Sequence, residues 1–126
     1  MPIHFNHTIV NVRDKQESAP FVAEILGFDS PTPYGPFLVV QFDNDVSLDF
    51  IDVDVLHAQH YAFLVSETEF DKILSRINER DLTHWADPFQ KQLGEVNTND
   101  GGRGVYWEEP SGHLLEVITR PYGSGS

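Results

Sequence analysis

Cysteine is absent from the 126 residues. That excludes disulfides, thiolate metal sites and a cysteine nucleophile, and it fits a reducing compartment. No apolar run approaches the roughly 20 residues of a membrane-spanning helix. Residues 1–5 carry neither a basic leader nor a signal core, so the expectation is a soluble, cytoplasmic protein with no membrane partner. Basic residues are scarce, with 8 Lys and Arg against 20 Asp and Glu and a formal charge of −12. Nucleic-acid binding needs a cationic footprint, and none is present. The acidic residues are spread out, densest at Asp43, Asp45, Asp49, Asp52 and Asp54, which reads as a solvated surface. Phosphate-loop chemistry is missing too: Gly101-Gly102-Arg103-Gly104 is followed by no Lys-Ser/Thr pair and opens no helix. There is no nucleophile elbow.

What is present is an internal echo. His7-Thr8-Ile9-Val10-Asn11-Val12 and His60-Tyr61-Ala62-Phe63-Leu64-Val65 each open with histidine, end with valine and run into a helix-start signal. In the first half the alternation over residues 3–12 predicts a strand, with Ile3, Phe5, His7, Ile9 and Asn11 on one face and Thr8, Val10 and Val12 on the other. Pro20 is disfavoured deep in a helix, which places the N-cap near Ser18, and Gly27 is the expected stop. Residues 29–36 hold three prolines and a glycine, so they read as loop with a short edge strand. Residues 37–42 and 46–51 form a hairpin around Asp43-Asn44-Asp45.

The second half repeats the order. A strand over residues 60–65 precedes the capping box Ser66-Glu67-Thr68-Glu69. Phe70, Ile73, Leu74 and Ile77 then mark an amphipathic helix. A short strand near residues 84–86, a long polar loop over 88–102 and two strands (103–108 and 113–119) joined by the turn 109–112 complete it. The expected fold is α+β: two modules, about 3–54 and 58–120, within a single domain spanning 1–122. Its sheet is mostly antiparallel, with the helices on one side and the other side free to curve into a cup. Residues 123–126 read as a flexible tail.

The echo extends to the last strand of each half. Aligned on Leu48 and Leu115, Asp49 matches Glu116. A carboxylate among Leu114, Leu115, Val117 and Ile118 is costly to bury unless paired or metal-bound. The cations nearest in sequence are Arg103 and Arg120; the alternative partner is a metal. His7, His60 and Glu116 are therefore candidate metal ligands, a two-imidazole, one-carboxylate set that leaves open positions. Such donors suit Fe, Mn, Zn, Co or Ni. Asp49 is a candidate fourth ligand, or an ordinary pocket carboxylate. A single strand histidine is more often a rim or core residue, and His4, His57, His84 and His113 take that reading. Tyr106 is the candidate catalytic hydroxyl, against the alternative of a core tyrosine.

The quoted residues resemble the vicinal oxygen chelate superfamily, the glyoxalase, bleomycin-resistance protein and extradiol dioxygenase group. The likeness runs through Asn6-His7-Thr8-Ile9-Val10, Glu24-Ile25-Leu26-Gly27-Phe28, His60-Tyr61-Ala62-Phe63 and the stretch from Gly101 to Glu116 that contains Pro110-Ser111-Gly112-His113-Leu114-Leu115-Glu116. It implies paired βαβββ modules, helices on the outer face, and a metal held by His7, His60 and Glu116 on the concave face. It also implies a small-molecule substrate and a homodimer. Members with a four-ligand lyase site resemble a pattern with glutamate where this chain has the shorter Asp49, which favours a three-ligand site. The leading expectation is an Fe(II) enzyme doing oxygenase-type chemistry on a substrate that chelates through vicinal oxygens. The alternatives are a Lewis-acid lyase, isomerase or epimerase, and a non-catalytic drug-binding protein.

Overall fold

The computed structural model describes residues 2–125. The chain divides into two compact units, Met1–His57 and Ala58–Ser126.

In the first unit, strand β1 (His7–Val12) leads to helix α1 (Lys15–Leu26) and strands β2 (Thr32–Tyr34), β3 (Phe37–Gln41) and β4 (Ser47–Asp52). The sheet order is β1-β4-β3-β2. β1 pairs parallel with β4, and the other two pairings are antiparallel. The parallel closure was not legible from alternation, which is the same for either direction. Thr8, Val10 and Val12 share a face with Leu48, Phe50, Leu38 and Val40; of these, Val10, Val12, Leu38, Val40, Leu48 and Phe50 are buried. The opposite face carries His7, Ile9, Asn11, Ser47, Asp49, Val39 and Gln41. Residues 3–6 lie outside the strand, and Ile3 and Phe5 are exposed.

Helix α1 starts earlier than Pro20 suggests. Asp14 is the N-cap, its carboxylate accepting from the Gln16 amide at 2.9 Å. The Lys15 amide donates to Asp52 Oδ1 at 2.7 Å. Two carboxylates thus take up amides of the first turn, which have no partner within the helix, and the N-cap falls four residues before Ser18. Ser18 is fully buried instead, and Pro20 lies in the second turn. At the other end Gly27 adopts φ 81°, and Phe28 N–H returns to the Ala23 carbonyl at 2.8 Å, a Schellman stop. Gly27→Ala places a Cβ in left-handed backbone and is expected to cost about 1–2 kcal/mol, read as a lower urea midpoint with an unchanged m-value. β2, an edge strand containing Pro33, fits the sequence reading.

The second unit repeats the plan: β5 (His60–Leu64), α2 (Glu67–Glu79), β6 (His84–Trp85), β7 (Gly104–Glu108) and β8 (Leu114–Ile118), in the order β5-β8-β7-β6. β5 again pairs parallel with the last strand. Ser66 caps α2 by accepting from the Glu69 amide at 3.1 Å, as the capping box predicts. Phe70, Ile73 and Ile77 are buried. Arg103, just before β7, ties the first turn of α2 to the sheet. Its guanidinium donates to Glu67 and Asp71, each at 2.8 Å, and lies 4.3 Å over the Phe70 ring. Val105, Trp107, Leu115 and Val117 form the buried face of this sheet.

The long loop is organised by side chains. Asp87 accepts from the Lys91 and Gln92 backbone amides, and the Asn97 side-chain Nδ2–H donates to the Ala86 carbonyl at 2.8 Å. The backbone amides of Gly123 and Gly125 both donate to the Asp100 carboxylate. Each unit is α+β with one open four-stranded mixed sheet, and neither sheet closes into a barrel. No helix among the described residues is long and apolar enough to cross a membrane.

Candidate metal and substrate site

The repeat holds at the level of strand register. His7 stands opposite Ser47, and Ile9 opposite Asp49. His60 stands opposite Leu114, and Ala62 opposite Glu116. Each histidine therefore opens its strand on the same sheet face as the carboxylate, one step along the pleat. Each carboxylate is central, flanked by the first strand on one side and by Val39 or Tyr106 on the other.

In the second unit the imidazole and carboxylate meet. His60 Nε2 lies 3.0 Å from Glu116 Oε1. The carboxylate can only accept, so Nε2–H is the donor. Glu116 is 4% exposed, while the His60 side chain is 45% exposed. Tyr106, opposite Glu116 across the ladder, completes the cluster, its ring 5.8 Å from the His60 ring. Burial, then hydrogen bonding to Glu116 and its negative charge, push the Tyr106 hydroxyl far above the usual tyrosine range. It is a neutral phenol that donates. Neither arginine considered as a partner from sequence is needed to explain the carboxylate: Arg103 is engaged by Glu67 and Asp71, whereas Glu116 faces an imidazole and a phenol.

Tyr61 is also raised, first by burial and then by the nearby Glu109 charge. For both tyrosines the folded value exceeds the unfolded one, so their stabilisation is complete below pH ~10 and is lost as pH rises beyond it. Urea midpoints measured from pH 8 to 11 should fall only over the alkaline part of that range, and Tyr106→Phe with Tyr61→Phe should flatten the decline.

In the first unit the corresponding groups do not touch each other. His7 Nδ1 lies 2.7 Å from Asn6 Oδ1. An amide oxygen only accepts, so the ring proton is on Nδ1 and Nε2 presents its lone pair. That is the tautomer a metal ligand needs, oriented by a neighbouring acceptor. Asp49 Oδ1 accepts from the Ser47 hydroxyl at 2.7 Å. An open cleft of about 590 Å³ is lined by Asn6, His7, Tyr34, Gln41, Ser47 and Asp49, among others. Sequence reasoning named His7 and Asp49 as site candidates but missed Asn6, Ser47 and Gln41; Ser47 had a signal in its same-face parity with Asp49 along β4, while Gln41 reaches that face only through its pairing with Ser47, and Asn6 precedes β1.

Among the described residues no three His, Asp or Glu side chains gather at one point. Taken unit by unit, the donor types are ones a divalent ion accepts: in the second unit a buried carboxylate lies beside an imidazole whose proton a cation would replace, and in the first His7 presents an imidazole in the tautomer a ligand needs.

No family model matches the chain. Among solved structures it is similar to Oxidase ChaP-H1, with 59% identity over 97% of this chain and 99% of that one at a TM-score of 0.94. It is similar also to Oxidase ChaP-H2, with 55% identity over the whole of both chains at a TM-score of 0.96. A glyoxalase/dioxygenase from Nostoc punctiforme shares the fold at a TM-score of 0.71 and 24% identity, over 94% of this chain and 91% of that one. The chain belongs to the vicinal oxygen chelate superfamily. It is an enzyme of the superfamily's metal-dependent type. Among curated proteins, this superfamily member is 29% identical over 119 residues to a glutathione transferase, FosA, of Serratia marcescens, across 89% of this chain and 77% of the relative.

Proposed function

We propose that the protein is an Fe(II)-dependent oxygenase that acts on a small substrate chelating through two adjacent oxygens, with His7, His60 and Glu116 as the metal ligands. The observation that carries this is the buried Glu116 carboxylate hydrogen-bonded to His60 at 3.0 Å, repeated in register by His7 and Asp49 in the first unit. Supporting it are the two relatives named as oxidases at 59% and 55% identity. Two imidazoles and one carboxylate leave coordination positions free, and a redox-active ion bound there supplies Lewis acidity toward substrate oxygens and electrons for dioxygen.

The chain's own residues divide the work. Asn6 fixes the His7 tautomer. Tyr106 holds its proton and donates to Glu116, so it acts as an orienting hydrogen-bond donor beside the substrate and not as a base. Ser47 occupies one oxygen of Asp49, which favours three ligands over the four of a lyase-type site. A homodimer in a cytoplasmic setting is the proposed working form.

Metal analysis of purified protein tests the premise: one divalent ion per chain is expected, with first-row metal–ligand distances of roughly 2.0–2.2 Å. Fe(II)-loaded protein should consume dioxygen with a catechol-type probe. Conversion of a hemithioacetal without oxygen uptake would support the Lewis-acid lyase instead. Full metal occupancy in His7→Ala would remove that residue from the ligand set.

A further inference from the structure

His113 has the sequence reading of a residue leaving a Pro-Ser-Gly turn. In the structure it is 1% exposed, and its ring accepts from a backbone amide 54 residues away. Gln59 N–H donates to His113 Nδ1 at 2.9 Å. The carbonyl of Gln59 accepts from the Leu114 amide at 2.9 Å. Both backbone polar atoms of the residue immediately before His60 are therefore held by residues 113 and 114.

We infer that His113 is a positioning residue for His60, acting through the backbone of Gln59. This rests on the assignment of His60 as a metal ligand. The His60 side chain is 45% exposed, so packing alone does not fix its ring. It is also the first residue of β5, so the bonds at Gln59 set the strand's starting point. The Gln59 clamp supplies that setting. His113 is itself anchored at three points. Its amide donates to Glu109 Oε1 at 3.0 Å, its carbonyl accepts from the Glu109 amide at 3.0 Å, and Tyr61 meets its ring edge-on with centroids 5.7 Å apart. Gly112, at φ 98°, closes the turn by donating to the Glu109 carbonyl at 2.8 Å. An amide N–H can only donate, so Nδ1 is the acceptor and the ring proton resides on Nε2.

Two measurements test this. Long-range ¹H–¹⁵N correlation spectra of the Zn(II)-loaded wild-type protein should show His113 as the Nε2–H tautomer; an Nδ1–H tautomer would overturn the clamp. His113→Leu, which removes the acceptor, should weaken Zn(II) binding roughly 10- to 100-fold, the range for partners that orient a ligand. His113→Asn, whose carbonyl oxygen stands where Nδ1 stood, should restore most of the affinity. Wild-type affinity in His113→Leu, or equal losses in both variants, would sink the positioning role. If His113→Leu does not fold, the tautomer in the wild-type protein decides. Wild-type affinity in His60→Ala would instead defeat the ligand assignment, and it would do so without altering the His113 tautomer.

Discussion

Glu116→Ala is expected to abolish stoichiometric metal binding and, with it, turnover. A ligand contributes more than the residues that orient it, so the loss should exceed the roughly 100-fold upper range for such partners. Glu116 is the largest single lever because it is a buried carboxylate, 4% exposed, with His60 and Tyr106 both turned toward it. Removing it leaves an imidazole without its acceptor and a phenol without its own. Glu116→Gln separates ligation from folding. The amide keeps the shape and an acceptor oxygen for Tyr106 while removing the charge that a divalent ion requires. Circular dichroism should therefore be preserved in Glu116→Gln while calorimetric titration with Zn(II) shows the affinity gone. A Glu116→Ala protein that still holds one ion per chain would end the assignment.

Trp107→Ala should be the most damaging change to the second unit's core, at about 3–5 kcal/mol. The indole is fully buried, opposite Leu115 in the ladder. Its Nε1–H has no hydrogen-bond partner among the described residues. Burying an unpaired donor costs about 1–3 kcal/mol, so Trp107→Phe removes a penalty together with part of the apolar area. The phenylalanine variant should consequently lose less than half as much stability as the alanine variant in urea unfolding. Equal losses would mean that the indole N–H is satisfied in solution, for instance by a buried water.

These two residues were not equally legible in the sequence. Glu116 was conspicuous because a charged side chain interrupted an apolar strand, and the half-chain repeat supplied His7 and His60 as its companions. Helix α2 was equally plain, because a capping box and its apolar stripe are local. Helix α1 was misplaced at its start because Pro20 outweighed the local signal at Asp14, whose carboxylate caps the Gln16 amide, and the supporting bond from Lys15 N–H to Asp52 spans 37 residues. His113 was read as a rim or core residue and is buried, but its partner was not legible, because Gln59 lies 54 residues away. The parallel pairing of first and last strands escaped because strand alternation carries no direction. Burial of Glu109 at the turn, 3% exposed, was likewise masked by an exposed-looking Glu-Glu-Pro-Ser-Gly stretch.

That parallel pairing also bears on synthesis. In each unit the histidine-led strand is made first, yet its ladder partner is made last. During translation β5 emerges with its hydrogen-bonding edge unmatched until residues 114–118 have left the ribosome, so His60 and Glu116 come together only after nearly the whole unit has been made. The first unit can finish its own ladder much earlier, once residues 47–52 are out. A nascent chain thus completes the His7 side well before the His60 side, and a ribosome stalled before residue 114 should display an ordered first unit with no capacity to retain metal. Loop closure over such separations is slow compared with hairpin formation, which makes docking of β5 onto β8 the natural late step in folding the second unit.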